Sequence, residues 1–352
     1  MPEITDPRYT SNRTAYPVAP VKLIIQIPCY NEENTLAITL AELPRDLPGV
    51  AQVEWLIVDD GSRDRTAAVA QEWGVDHIIR FEQNRGLAKG FMAGLEASLK
   101  AGADIIVNTD ADNQYCAADI PKLIEPILLG QAQMVIGARP IQQIEHFSPV
   151  KKWLQKVGSW AVRIASKTSV ADAPSGFRAI SREAALELNV FNEYTYTLET
   201  IIQAGQKGMA VVSVPIRTNG YLRPSRLVKS IFSYVQRSLI TMLRIFITYK
   251  PFAFFVWLGS IPFSIGFLIG IRWLVLYFSG TPRTHVPSLI LSAILLLMVS
   301  ELWVVGVLAD LLSVNRKLLE EIQLRVRRTE IESGGKTGIQ PDTEPRLKSR
   351  ER

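Results

Sequence analysis

The chain has 352 residues, 47% of them hydrophobic, and carries 39 Lys and Arg against 34 Asp and Glu, a net charge of +5. That length accommodates one large domain or two ordinary ones, and the mild basic excess suits an anionic ligand or an anionic membrane face. Two cysteines (Cys29, Cys116) are too few for a disulfide framework, and three histidines outside any motif (His77, His146, His285) argue against a Ser-His-Asp or multi-histidine metal site. With no zinc-finger spacing or RNA-binding aromatic motif, no nucleic-acid partner is expected.

Residues 1–20 contain four prolines, lack the basic-then-apolar profile of a signal peptide, and read as a flexible leader. From residue 21 short apolar runs alternate with helical patterns. Strands are expected at 21–27, 55–58, 77–80, 105–108 and 134–137, with helices at 35–43, 64–73, 86–101 and 119–129. This alternation means an α/β domain, a mostly parallel sheet with helices on both faces. Ligands bind at the carboxyl ends of the strands in such sheets, and the polar clusters fall at those ends.

The first cluster is IPCYNEE (27–33). Its Asn31, Glu32 and Glu33 either cap the next helix, where acids complement the dipole, or accept hydrogen bonds from a ribose or base. The second is LIVDDGSRDRT (56–66); a turn and cap account for Gly61, Ser62 and Asp64 but not for the doubled acid Asp59–Asp60, which suits nucleobase N–H groups. In NRGLAKGFMAGL (84–95), Gly86, Gly90 and Gly94 share one helix face, fit for close packing on the sheet or on a ligand. The Gly-Lys-Ser/Thr end of a P-loop is absent, while Arg85 and Lys89 could meet a phosphate. The fourth is VNTDADNQY (107–115), in which Asp110 and Asp112 stand one residue apart at a strand end. Carboxylates so placed suit Mg²⁺ or Mn²⁺, with substrate phosphates completing the shell.

Residues 147–167 and 226–248 each set an apolar helical stripe against a basic face: surface helices packed on a core, or helices lying in a membrane interface. Residues 252–271 are nearly uncharged and 286–309 are interrupted only by Glu301. Each is long enough to span a ~30 Å hydrocarbon layer. Lys250 on one side, with Arg316 and Lys317 on the other, places both ends of this hairpin in the cytoplasm by the positive-inside rule, against the weaker pull of Arg272 and Arg283. Glu301 would face the partner helix or a neighbouring protomer. From Ser333 the tail is rich in Gly, Pro and charge and is expected to be disordered.

Together the motifs PCYNEE, VDDGSRD, NRGLAKG and DADNQ, in this order over about residues 21–235, resemble family 2 glycosyltransferases of the GT-A fold. With two C-terminal spans the chain looks like the polyisoprenyl-phosphate glycosyltransferase branch, which includes the dolichyl-phosphate mannose synthases. DAPSGFRAISR (172–182) and RTNGYLRPSR (217–226) resemble that branch's acceptor-loop and phosphate-binding segments, the second with a longer Gly220-to-Ser225 spacing.

The resemblance implies an integral membrane enzyme of the bacterial inner membrane. Its parts are a catalytic domain (21–225) on the cytoplasmic face, an amphipathic juxtamembrane helix (226–250), a two-helix transmembrane hairpin (251–312) and a cytoplasmic tail (313–352). It also implies a UDP- or GDP-linked hexose as donor, a polyisoprenyl phosphate as acceptor, inversion at the anomeric carbon, and a homo-oligomer, since related enzymes form tetramers. By motif match, Pro28, Glu32 and Asp60 would form the nucleoside pocket. Asp110 and Asp112 would hold the divalent ion and Gln114 would orient the sugar or a metal-bound water. Arg139, Arg178, Arg217 and Arg226 are candidate phosphate ligands, with Arg217, Arg223 and Arg226 competing within RTNGYLRPSR. Asp172 is the family's suggested base, though it could instead position Arg178 or the acceptor. Glu199, in YTLET, would orient this loop or the acceptor, or is a buried helix acid satisfied by its neighbours. A processive polysaccharide synthase would carry a Gln-x-x-Arg-Trp motif and more spans, both absent. A non-catalytic scaffold would not need intact Asp60, Asp110 and Asp112.

Overall fold

Strand β1 (Lys22–Cys29) has its Leu23, Ile25 and Ile27 on one face and Ile24 on the other, all fully buried. A strand covered on both faces is the mark of a parallel sheet flanked by helices. The computed structural model describes residues 20–140, 159–160, 162–164, 166–190, 196–220, 240, 243–244, 247–280 and 286–334. The leader, most of the two amphipathic stretches, Arg226 and the tail beyond 334 lie outside them.

The five expected strands are β1, β2 (Gln52–Asp59), β3 (His77–Arg80), β4 (Ile105–Asn108) and β5 (Met134–Ala138). Two more were not legible as strands: β6 (Arg178–Ser181) and β7 (Val211–Pro215). The seven form one sheet in the order β3-β2-β1-β4-β6-β5-β7. All neighbours are parallel except at β6, which runs antiparallel to both β4 and β5. Because β6 is reversed, its beginning lies beside the ends of β4 and β5: Arg178 pairs with Asn108 and with Ile136. The ends of β1, β2, β4, β5 and β7 and the start of β6 therefore share one rim.

Helices α1 (Leu36–Glu42), α2 (Thr66–Glu72) and α4 (Ile120–Leu128) cover one sheet face; α3 (Leu87–Lys100), α5 (Arg182–Glu187) and α6 (Thr197–Gln206) cover the other. The glycine face of α3 packs on the sheet. A Cβ at Gly90 would sit 3.8 Å from Pro28 Cβ, and one at Gly94 would come within 2.6 Å of Gln26 Oε1. The close approach expected of these glycines is thus to β1 and β2.

Two further helices, α7 (Pro251–Phe278) and α8 (Val286–Gly334), are long and apolar enough to cross a membrane. They pack through small residues. Gly259 faces Trp303, Gly266 faces Leu295, Gly306 faces Phe255, and Ser292 Oγ donates to the Gly266 carbonyl at 2.7 Å. Glu301 is exposed, so it does not turn into this helix contact. Helix α8 also runs well past the expected end of the span, into the stretch read from sequence as tail.

Candidate active site

Asp110 and Asp112 follow β4 on a loop that turns back sharply at Asn113, whose φ is 53°. Asparagine is among the few residues that tolerate this left-handed conformation. Burial, and then the charge of Asp112, push the Asp110 carboxyl up to about 7. A cation between the two acids would relieve that cost. Among the described residues no cluster of three or more His, Cys, Asp or Glu could hold a metal. The donor set is thus two hard carboxylates, which fits an Mg²⁺ or Mn²⁺ sharing its shell with phosphate oxygens. A divalent ion held there would compete with a proton on Asp110. Mn²⁺ affinity measured by calorimetry should rise by up to about tenfold per pH unit below pH ~7 and level off above it. A flat profile from pH 5.5 to 8 would refute this.

Asp110 lies against a buried clasp that sequence reasoning missed. Asn108, fully buried, accepts from Gln26 Nε2 at 2.9 Å and donates to the Gly176 carbonyl (2.8 Å) and the Tyr196 hydroxyl (2.9 Å). The Gly176 N–H donates to the Tyr115 hydroxyl at 3.0 Å, and burial raises the Tyr115 pKa to about 12, keeping it a neutral partner. Tyr196 stacks on Phe91 at 3.8 Å between ring centroids. A Cβ on Gly176 would stand 3.0 Å from the Tyr196 hydroxyl and 3.1 Å from Asp110 Oδ1, so a larger residue makes the hydroxyl or the carboxylate give by a few tenths of an ångström. Displacing a reacting group by even 1 Å can cost roughly 10²-fold in rate. Gly176→Ala, which forces a smaller shift, should therefore lose activity by up to that factor while its thermal unfolding stays cooperative; near-normal turnover would sink the argument. The only sequence signals for this clasp were Tyr115, next to Gln114, and the glycine of SGFR.

The two acids of the second motif have separate uses. Asp59, fully buried, accepts the Ser62 N–H at 2.8 Å and lies 3.2 Å from Arg80 Nε. Asp60 accepts the N–H groups of Arg85 (2.6 Å) and Gly86 (2.9 Å), and so fixes the loop that opens α3. The doubled acid thus has a structural account that the sequence alone did not offer. Gly61 has φ +73°, and a Cβ there would come within 2.6 Å of the Gln83 backbone. Glu32 is buried, with Thr35 Oγ1 donating to its Oε2 at 2.8 Å, and Pro28 lies beside Val58. Arg85 and Lys89 are exposed at the start of α3, with the Arg85 guanidinium 5.1 Å from the centre of the Phe81 ring.

Asp172 and Arg139 form a bidentate ion pair. Arg139 Nε lies 2.7 Å from Oδ2 and Nη2 lies 3.1 Å from Oδ1, with the side chains 8% and 1% exposed. Of the roles open to Asp172 from sequence (base, or positioning Arg178 or the acceptor), contact with Arg178 is not what the structure shows: its partner is Arg139. Arg178 is fully buried and donates to the carbonyls of Ser175 (2.8 Å) and Ala173 (2.9 Å) and to Thr200 Oγ1 (2.6 Å). It is thereby committed to holding the 173–176 turn. Arg217 donates to Asp119 through Nε at 3.1 Å and Nη2 at 2.8 Å. Although burial opposes its charge, hydrogen bonds from Arg217 and Lys122 hold the Asp119 carboxyl down to about 2. The next residues join the Asp110–Asp112 loop, since the Asn219 N–H donates to the Gln114 carbonyl at 2.9 Å and Thr218 bridges Tyr115. Glu32, Asp60, Asp110, Asp112, Gln114, Arg139, Asp172 and Arg217 therefore all stand on the one rim. Arg226 lies outside the described residues.

The family model for glycosyl transferase family 2 matches residues 24–188. A UDP-N-acetylglucosamine–dolichyl-phosphate N-acetylglucosaminyltransferase of Methanococcus voltae is 30% identical over 54% of this chain and 83% of its own length. An undecaprenyl-phosphate mannosyltransferase of Micrococcus luteus is 28% identical, with 56% and 83% covered. A polyprenol monophosphomannose synthase of Mycolicibacterium smegmatis is 27% identical, with 55% and 76% covered. Among solved structures, glucosyl-3-phosphoglycerate synthase of Mycobacterium tuberculosis, crystallised with Mn²⁺, UDP and glucosyl-3-phosphoglycerate, superposes with a TM-score of 0.52. It is 22% identical over 64% of this chain and 79% of that one, a likeness of fold.

Proposed function

Because this chain belongs to glycosyl transferase family 2, we propose that it transfers a hexose from a UDP- or GDP-linked donor to a polyisoprenyl phosphate at a membrane surface, inverting the anomeric centre. One observation carries the reading: the Asp110–Asp112 pair and the buried Arg139–Asp172 pair stand on one rim of a domain that continues into two helices long enough to span a bilayer. Relatives named for dolichyl, undecaprenyl and polyprenol phosphate acceptors support the acceptor class.

Glu32 and Asp60 flank the nucleoside, and Asp110 and Asp112 would hold the Mg²⁺ or Mn²⁺. When bound, that ion supplies Lewis-acid neutralisation of the charge growing on the leaving nucleoside diphosphate. The acceptor is a phosphate monoester with a second pKa of about 6, already largely ionised at neutral pH. Its oxygen attacks the anomeric carbon as the bond to the diphosphate oxygen breaks, and that oxygen leaves with the bonding pair. Little remains for a base to do. Asp172 therefore orients Arg139, whose planar fork matches phosphate oxygens. Arg178 shapes the turn that carries Gly176, and Gln114 orients the sugar. Arg217 and Arg226 serve the acceptor phosphate. Lys250, Arg316 and Lys317, which flank the candidate spans, support a domain on the cytoplasmic face of a bacterial inner membrane.

The test supplies purified protein in detergent with Mn²⁺ or Mg²⁺, undecaprenyl or dolichyl phosphate, and a panel of labelled nucleotide sugars. A glycolipid made from one donor and abolished by chelation is the expected result, and it names the sugar. Nucleotide binding without any lipid product would turn the reading to another acceptor.

A further inference from the structure

Helix α8 is 49 residues long, ~74 Å at 1.5 Å per residue, whereas a bilayer core needs only about 20 residues. Its first part pairs with α7, and Gly306 lies level with Phe252 and Phe255 at the root of that helix. Beyond Ala309 there remain about 25 residues, or ~37 Å of helix. This extension lies along the catalytic domain. Arg327 Nη1 donates to the carbonyls of Leu186 (3.3 Å) and Leu188 (3.1 Å) at the end of α5, where a cation complements the helix dipole. Gln323 Oε1 accepts from Asn189 Nδ2, and Ile331 packs against the buried cluster to which α3, α5 and α6 contribute.

The second attachment is at the root of α7. The Tyr249 hydroxyl donates to Glu199 Oε1 at 3.3 Å, Lys250 Nζ donates to the Ile164 carbonyl at 3.0 Å, and the Arg316 guanidinium lies 4.6 Å over the Tyr249 ring. Helix α6 serves both attachments. Its Glu199 meets Tyr249, and its Gln203 accepts the Asn189 N–H at 2.9 Å. The same helix sends Thr200 to Arg178, and its preceding residue Tyr196 to Asn108, in the clasp beside Asp110. One attachment would leave the domain free to pivot about the root of the hairpin. A second, ~17 Å further along α8, removes that freedom.

We propose that Gln323 and Arg327 are positioning residues, and that the α8 extension is a strut fixing the angle of the catalytic domain to the bilayer. It thereby sets the height at which the rim meets a lipid phosphate. This role rests on the transfer proposed above; the strut itself does not.

The test uses the full chain in phosphatidylethanolamine/phosphatidylglycerol nanodiscs in a Cys116→Ser background, with spin labels at Gln131→Cys and Ser279→Cys. Both labelled positions are exposed. The expected inter-label distance distribution is narrow, at least doubling in width in the Gln323→Ala/Arg327→Ala variant and staying narrow in Arg327→Lys. The double variant should also raise KM for undecaprenyl phosphate in the nanodisc at least fivefold, with the rate on water-soluble citronellyl phosphate unchanged within twofold. An unchanged width overturns the strut. A broadened width with an unchanged KM, or an equal loss on both acceptors, overturns its part in meeting the lipid. If the unsubstituted chain glycosylates neither acceptor, the transfer reading fails, and the width alone still decides the strut.

Discussion

Asp112→Asn should lower glycolipid formation by roughly 10³-fold while leaving the fold intact. Asp112 is partly exposed, and its one hydrogen bond among those described comes from the Gln114 N–H at 3.2 Å, a contact Asn can keep through its carbonyl oxygen. Its removal costs the site a charge. Metal neutralisation of a leaving group is worth several kcal/mol, and about 1.4 kcal/mol is a factor of ten, so three powers of ten is the natural scale. The same substitution removes the charge that, after burial, does most to raise the Asp110 pKa. The inflection in the pH profile of residual Mn²⁺ binding should then move to lower pH. Turnover within tenfold of the unsubstituted chain, measured with saturating donor and Mn²⁺, would remove Asp112 from the metal site.

Asp172→Asn separates base catalysis from positioning. Both Asp172 oxygens are engaged by Arg139, and the residue is 1% exposed. Asparagine cannot accept both bonds and leaves a guanidinium buried without its counter-charge, a loss of about 3–5 kcal/mol for a buried pair broken on one side. For a domain of this size that is a fall of roughly 10 °C in the thermal midpoint. The defect in transfer should be the same factor at pH 6 and pH 8, because it comes from Arg139 losing its orientation. Activity that recovers at pH 8, where the acceptor phosphate is fully ionised, would instead identify Asp172 as a base.

Much of the catalytic half was legible before any coordinates. Strands β1 to β5 and helices α1 to α4 announce themselves through short local patterns: apolar runs, glycines and acids at their ends. The four motifs needed only chain order to be recognised, because each sits in the loop directly after its strand or opens the next helix. The two candidate spans, α7 and α8, were legible as long apolar helices for a similar reason, since the length of an apolar run is a one-dimensional property.

What sequence could not supply depends on partners far apart in the chain. β6 is four residues long and becomes a strand only because β4 and β5 flank it, with Arg178 paired to Asn108, 70 residues upstream, and to Ile136, 42 upstream. Nothing in SGFR says that Arg178 turns inward to Thr200, or that Asp172 takes Arg139 as its partner. A side chain's pairing is decided by which backbone reaches it, and the reversal at β6 decides that here. Asn108 reads as one more polar residue after an apolar run, yet it lies under the rim and ties Gln26, Gly176 and Tyr196 together. The sequence by itself determined which acids and arginines the chain could bring to the rim. Only the tertiary structure decided which remain available to a ligand, because burial and long-range hydrogen bonds had already engaged Asp59 and Arg178 elsewhere.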